Sequence, residues 1–162
     1  MKKFKNHTVQ KYLDVLSQKA PIPGGGSAAA LTAAVGTALI SMSANYSKGR
    51  SPSAAVERKI RRVLARSEKI RKRLMEDVDR DAQAYLKVVR TRKSSPAVRR
   101  AALKQAGEVP LDVCRLCYQA MDLTPDLVRY GNPHLLSDVE VAVELLSAAF
   151  KSAMINVKVN QQ

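Results

Sequence analysis

Residues 53 to 91 contain neither Pro nor Gly. Uninterrupted helix over that span would be about 58 Å long at 1.5 Å per residue. The apolar residues must then pack along it. They make up 46% of the 162 residues, but only 4% are aromatic and there is no Trp. Ala, Val and Leu supply the apolar mass, which favours closely packed helices over a sandwich. The expectation is an all-α, multihelical bundle with one very long helix, in a single domain over residues 1–162.

The other elements follow from local signals. Thr8 caps a short first helix with Val9, Tyr12, Leu13 and Leu16 on one side. Residues 19 to 26 read as a Pro/Gly loop, with Ser27 capping a second helix that runs to Ser47. Lys48, Gly49, Arg50, Ser51 and Pro52 end it. Ser94, Ser95 and Pro96 break the long helix and open a fourth. Pro110 lies inside that fourth helix and is expected to kink or split it. Thr124 and Pro125 start a short helical turn ending at Tyr130 and Gly131. Ser137 is expected to cap a last helix from Asp138 to Asn160. That helix is apolar nearly all round, which suits the middle of a bundle or a subunit interface.

Residues 20 to 47 contain no charge, so a membrane span must be weighed. The stretch is rich in Gly, Ser, Thr and Ala, and Pro21 and Pro23 shorten it. Such weak hydrophobicity inserts poorly. A helix buried among helices explains it better, and no membrane association is expected. Within it, Gly24, Gly25 and Gly26 allow left-handed or crowded backbone and close approach to a ligand. A helix N-terminus then offers free N–H groups and partial positive charge. Together these make a candidate cradle for an anionic or carbonyl-bearing ligand, beside the plain reading of a flexible turn.

Helical phase sorts the acids of the long helix. Ile60, Val63, Leu64, Ile70, Leu74, Val78, Tyr85 and Val88 form one stripe. Asp81 falls inside it and Asp77 at its edge. Asp79 lies roughly 160° from Asp81, on the expected solvent side. A carboxylate in an apolar stripe needs a partner, a hydrogen bond or a proton. Asp81 is therefore either an acid/base with a tuned pKa or a structural carboxylate, satisfied by a helix cap or by an Arg such as Arg71.

Charge bounds the partners. Twenty-eight Lys+Arg against fourteen Asp+Glu leave +14, which attracts polyanions. Arg58, Lys59, Arg61, Arg62, Arg66, Lys69, Arg71, Lys72 and Arg73 are either a solvated face or a landing strip for an anion. No aromatics are interleaved with them, so base stacking and nucleic-acid binding are not expected. The basic start, Met1, Lys2, Lys3, Phe4 and Lys5, is followed by no apolar signal region. Cys114 and Cys117 are the only cysteines. They read as packed thiols in a cytoplasmic, reducing setting rather than as disulfide, redox or metal ligands, and no metal site is expected.

An ordered set of motifs resembles a known family. Residues 23 to 29, Pro-Gly-Gly-Gly-Ser-Ala-Ala, with Lys48 and Gly49 following, open it. Asp79-Arg80-Asp81-Ala82-Gln83-Ala84-Tyr85, then Val109-Pro110-Leu111, come next. Gly131-Asn132, Ser137-Asp138 and Asn156-Val157-Lys158-Val159-Asn160 close it. The set is similar to the formiminotransferase-cyclodeaminase C-terminal domain family, which includes free-standing methenyltetrahydrofolate cyclohydrolases. The resemblance implies a stand-alone, cyclodeaminase-like helical fold and a homodimer. It implies action on tetrahydrofolate one-carbon units with no metal or other cofactor. Its leading reading is formimidoyltetrahydrofolate cyclodeaminase, closing 5-formiminotetrahydrofolate to the 5,10-methenyl form with loss of ammonia. Its alternatives are the cyclohydrolase and a non-catalytic basic helical binding protein.

By the same resemblance the catalytic carboxylate lies in the Asp79–Asp81 segment, and helical phase selects Asp81. Gly24, Gly25, Gly26 and Ser27 would contact the folate through backbone groups. Asn132, Ser137, Asp138, Asn156 and Asn160 are candidates to hold the pterin or orient Asp81. For Ser137 and Asp138, loop and cap chemistry competes with that role. Asp138 and Asn156 share a helix face but lie about 27 Å apart, so one pocket cannot easily use both from one subunit. Arg80 and the Leu135-Leu136 pair depart from the family pattern. The basic load suits a polyglutamylated folate tail.

Overall fold

The structure, a computed structural model, describes residues 3–160; Met1 and Lys2 of the basic start lie outside them. Six α-helices follow in order: α1 (Val9–Leu16), α2 (Gly25–Ser47), α3 (Ala54–Arg90), α4 (Pro96–Met121), α5 (Thr124–Tyr130) and α6 (Leu136–Asn160). Short 3-10 turns sit at Phe4–Asn6 and Pro133–Leu135. No strand occurs among the described residues, so the all-α expectation holds.

The stretch free of Pro and Gly is one helix of 37 residues, α3, and the Ser53 hydroxyl accepts the Val56 N–H at its start. Its apolar stripe is the bundle's spine: Ile60, Val63, Leu74 and Val78 are each at most 1% exposed. Burying such a side chain contributes about 1.5–3 kcal/mol. Helix α2 packs chiefly on α3 and α6, and α4 lies on α6 and α3. Small residues let α2 approach. A Cβ on Gly36 would come within 3.0 Å of both the Ala142 carbonyl oxygen and Leu146. Helix α2 is long and apolar enough to cross a membrane. Its Ala30, Ala33, Ile40 and Ala44 are fully buried in the bundle core, which accounts for its uncharged sequence.

Three local expectations are corrected. Helix α2 begins at Gly25 with Gly24 as its cap, so Ser27 is a first-turn residue and not the cap. Helix α4 runs unbroken through Pro110. Pro110 is buried within it and does not split it, which leaves the expected kink as the remaining effect of the hydrogen bond it removes. Ser137 does not cap α6, which starts at Leu136 directly after the 3-10 turn. Asn132 caps that 3-10 turn rather than α6, its side chain accepting the His134 N–H at 3.2 Å.

The N-terminal segment packs on α3 where Asp79 projects, with Phe4 buried in the core. Asp79 was expected to face solvent there. It is only 4% exposed and accepts the Phe4 N–H at 2.6 Å. Asp77, expected at the stripe's edge, is fully buried and ion-paired with Arg80. Burial pushes the Asp77 carboxyl up to about 6, against the pull of Arg80. The Arg80 side chain also reaches Asp112 of α4 at 3.1 Å, so this departure from the family pattern ties α3 to α4.

Candidate active site

Helix α3 carries Asp81 to the point where α2 begins. The Asp81 carboxylate accepts the Ser27 N–H at 2.9 Å. The α2 N-terminus, expected to cradle a ligand, is thus engaged by the protein's own anion, an arrangement the helix dipole favours. Gly26 makes the approach possible: a Cβ there would lie 2.0 Å from Asp81 Oδ1. Left-handed backbone plays no part, because Gly49 is the only glycine with positive φ among the described residues. Arg71, the expected ion-pair candidate, pairs with Glu68 at 2.6 Å instead.

A cavity of about 440 Å³ opens beside this contact. Gly24, Gly25 and Gly26 form one wall, Asp81, Ala84, Tyr85 and Val88 of α3 a second, and Leu103 and Ala106 of α4 a third. Asn156, Val159 and Asn160 close it from α6. Its size falls in the range of small-molecule sites, and apolar walls with a few convergent polar groups fit that description. Asp81 is the only charged side chain in the lining among the described residues. Burial pushes its carboxyl up from the usual range, partly opposed by the Ser27 N–H. An acid displaced in that direction, with an open face on a cavity, is suited to move protons near neutral pH.

The expected site residues divide into two groups. Gly24, Gly25, Gly26, Asp81, Asn156 and Asn160 meet at the cavity. Ser27 does not line the cavity: its N–H is taken by Asp81 and its hydroxyl lies 3.0 Å from that of Tyr12. Asn132, Ser137 and Asp138 do not line the cavity. Asn132 sits at the other end of α2, where its N–H donates to the Ser47 hydroxyl at 2.8 Å. Helical rise over 23 residues places the two ends of α2 about 33 Å apart.

Sequence reasoning missed a basic groove of about 640 Å³ that adjoins the cavity through Leu103 and Asn160 and is lined by Arg99, Arg100 and Lys104. A signal was present. Between Asp81 and Glu108 there is no acid, but there are seven Lys or Arg. In the α3 run singled out instead, five of nine residues meet acids: Lys59 and Arg62 with Asp126, Arg61 with Glu57, Arg71 with Glu68, and Arg73 with Asp112. Cys114 and Cys117 are buried free thiols, and burial pushes Cys117 up to about 12, so both are packing residues. No cluster of three or more metal-ligating side chains occurs among the described residues.

With this geometry in place, comparison with known proteins is decisive about kinship. Residues 8–162 match the formiminotransferase-cyclodeaminase family. The chain belongs to that family. It is 38% identical to the methenyltetrahydrofolate cyclohydrolase of Methylorubrum extorquens, over 96% of this chain and 79% of that protein. It is 29% identical to the formimidoyltransferase-cyclodeaminase of Mus musculus, over 94% of this chain but only 30% of that longer protein. The crystal structure of formiminotetrahydrofolate cyclodeaminase from Thermotoga maritima superposes with a TM-score of 0.93, at 30% identity, over 97% of this chain and 79% of that one. The chain is thus a member of a family of folate one-carbon enzymes, with a cyclodeaminase-like fold.

Proposed function

We propose that this protein hydrolyses 5,10-methenyltetrahydrofolate to 10-formyltetrahydrofolate, with Asp81 moving the protons. The observation that carries the reading is the lone carboxylate in the cavity. Among the described residues Asp81 has no cationic partner and is the only charged one lining the ligand space. The methenyl bridge is a delocalised cation, so an unpaired carboxylate attracts it and stabilises positive charge at its carbon.

The steps balance around that one group. Asp81 accepts a proton from water as its oxygen attacks the methenyl carbon. The tetrahedral adduct collapses with cleavage of the bond to N5, and Asp81 returns its proton to N5. Loss of the adduct hydroxyl proton to solvent leaves the formyl group on N10. The raised Asp81 pKa brings the carboxylate closer to the basicity this shuttle needs. The relative that shares 38% identity is named for this reaction, and that likeness supports it over cyclodeamination. The second reading, cyclodeaminase, is supported by the fold match. There the same carboxylate would take a proton from N10 and deliver one to departing ammonia.

Purified protein should consume methenyl absorbance faster than buffer alone. The acid limb of kcat/KM gives the sign of the titration. The base form of Asp81 is needed, so activity rises with pH through its pKa. That limb should lie above the usual Asp value of 3.8. A limb at or below that value would contradict the role.

The basic groove suits the carboxylate tail of the same substrate, including a polyglutamylated one. The cavity would hold the pterin, while Arg99, Arg100 and Lys104 would meet the glutamates. Reversing all three to Glu is expected to raise KM about tenfold or more, with kcat little changed, because two or three exposed ion pairs contribute about 0.2–1 kcal/mol each and reversal adds repulsion. The increase should grow with tail length and shrink with added salt. Equal KM values for short and long tails in both proteins would remove the groove from the site.

A further inference from the structure

Helix α1 is loosely attached, with Val9 75% and Leu13 53% exposed, yet its Tyr12 is only 4% exposed. The Tyr12 hydroxyl lies 3.0 Å from Ser27 Oγ, and Ser27 is fully buried. Each of these hydroxyls has the other as its only hydrogen-bond partner among the described residues. Ser27 is therefore held from two sides: its side chain by Tyr12, and its N–H by Asp81 at 2.9 Å. Together these contacts fix the rotation of the first turn of α2 and hence the direction of the N–H that meets Asp81.

We propose that Tyr12 is a positioning residue for Asp81, acting through Ser27. The inference rests on the reading of Asp81 as the proton-moving group. Tyr12 does not touch the cavity, and no proton passes along the chain, since the link to Asp81 is a backbone amide. Burial pushes the Tyr12 phenol up, and the charge on Asp81 adds to that push, against the Ser27 hydrogen bond. The phenol thus stays protonated and can hold Ser27 throughout the working pH range. Among the described residues, Asp81 accepts no other hydrogen bond than the one from Ser27 N–H. In the cavity it faces Tyr85 of its own helix and the neutral amides Asn156 and Asn160 of α6, and α4 offers only Leu103 and Ala106.

The test follows the Asp81 carboxyl by carbon-13 NMR during a pH titration, in wild type, Tyr12→Phe, Ser27→Ala and the double variant. Tyr12→Phe keeps the ring and removes only the hydroxyl. Asp81 should then titrate at higher pH, because the N–H that favours its charged form is less well aimed. The acid limb of kcat/KM should move the same way, and kcat should fall about tenfold, as expected for a weakened hydrogen bond to a charged group. Ser27→Ala, which keeps the N–H and removes the tether, should give the same shift. The double variant should shift no further than either single one. An unchanged Asp81 titration in the single variants, whatever their melting temperatures, overturns the proposal. So does a double variant whose shift is the sum of the two. The NMR readout needs no turnover, so an inactive wild type would sink the folate reading while leaving this inference to stand or fall separately.

Discussion

Asp81→Asn is expected to lower kcat/KM for methenyltetrahydrofolate by about a thousandfold, within the range for loss of a positioned acid or base. Asn is nearly isosteric and can still accept the Ser27 N–H that Asp81 accepts at 2.9 Å. Fold and cavity should therefore survive, and the helical circular-dichroism signal should be unchanged. The variant should also be no less stable than wild type, because burial opposes the charge that Asp81 carries. Kinetics and denaturation read the two effects separately. A variant that kept a tenth or more of wild-type activity would show that the protons move by another route.

Gly26→Ala should have the next largest effect. The added methyl would lie 2.0 Å from one carboxylate oxygen and 2.9 Å from the other, so Asp81 or the first turn of α2 must move. A shift of that size misplaces the proton-moving group and should cost roughly a hundredfold in kcat. Overpacking adds about 1–3 kcal/mol of lost stability, measurable by urea denaturation. The neighbouring glycines are internal controls. A Cβ on Gly24 meets nothing within 4 Å, and one on Gly25 only touches Asn156 at 3.9 Å. Gly24→Ala should therefore be close to wild type. Equal losses at positions 24 and 26 would mean that chain flexibility, rather than contact with Asp81, explains the glycines.

That contrast also shows what the chain's sequence made legible. The long helix was visible because a run without Pro or Gly has few alternatives. Phase along it points Asp81 and Asp79 in different directions, since side-chain direction in a helix is local geometry, and the two carboxylates do meet different partners, Ser27 and Phe4. What lies opposite a helix face is not local. Asp79 was assigned to solvent because nothing in its own helix shows that the Phe4–Asn6 turn folds over it. The same limit applies to Ser27. Its place before an Ala-rich run suggested a cap, but the cap is Gly24, and the Ser27 side chain is used by Tyr12, fifteen residues earlier.

The basic groove was hidden for a related reason. Composition gives the sum of charge, but only tertiary pairing shows where it is unneutralised. Much of the conspicuous run on α3 finds acids on its own helix, on α4 and on α5, while Arg99, Arg100 and Lys104 line the groove beside the cavity. Asn132, Ser137 and Asp138 stand away from that cavity; the helical spacing between Asp138 and Asn156 argues only against one pocket using both of those two. Asn132, Ser137 and Asp138 belong to the closing pattern of the family, so their distance from Asp81 separates belonging to a motif from sharing a site.

The most direct measurement uses one preparation of the wild-type protein with two substrates side by side. One arm follows loss of methenyl absorbance from 5,10-methenyltetrahydrofolate, and the other follows ammonia release from 5-formiminotetrahydrofolate. Methenyl hydrolysis well above the buffer rate, with little or no ammonia, is the predicted result. Ammonia release without methenyl hydrolysis would contradict it and assign the Asp81 cavity to cyclodeamination; activity in neither arm would leave the cavity without the folate chemistry proposed for it.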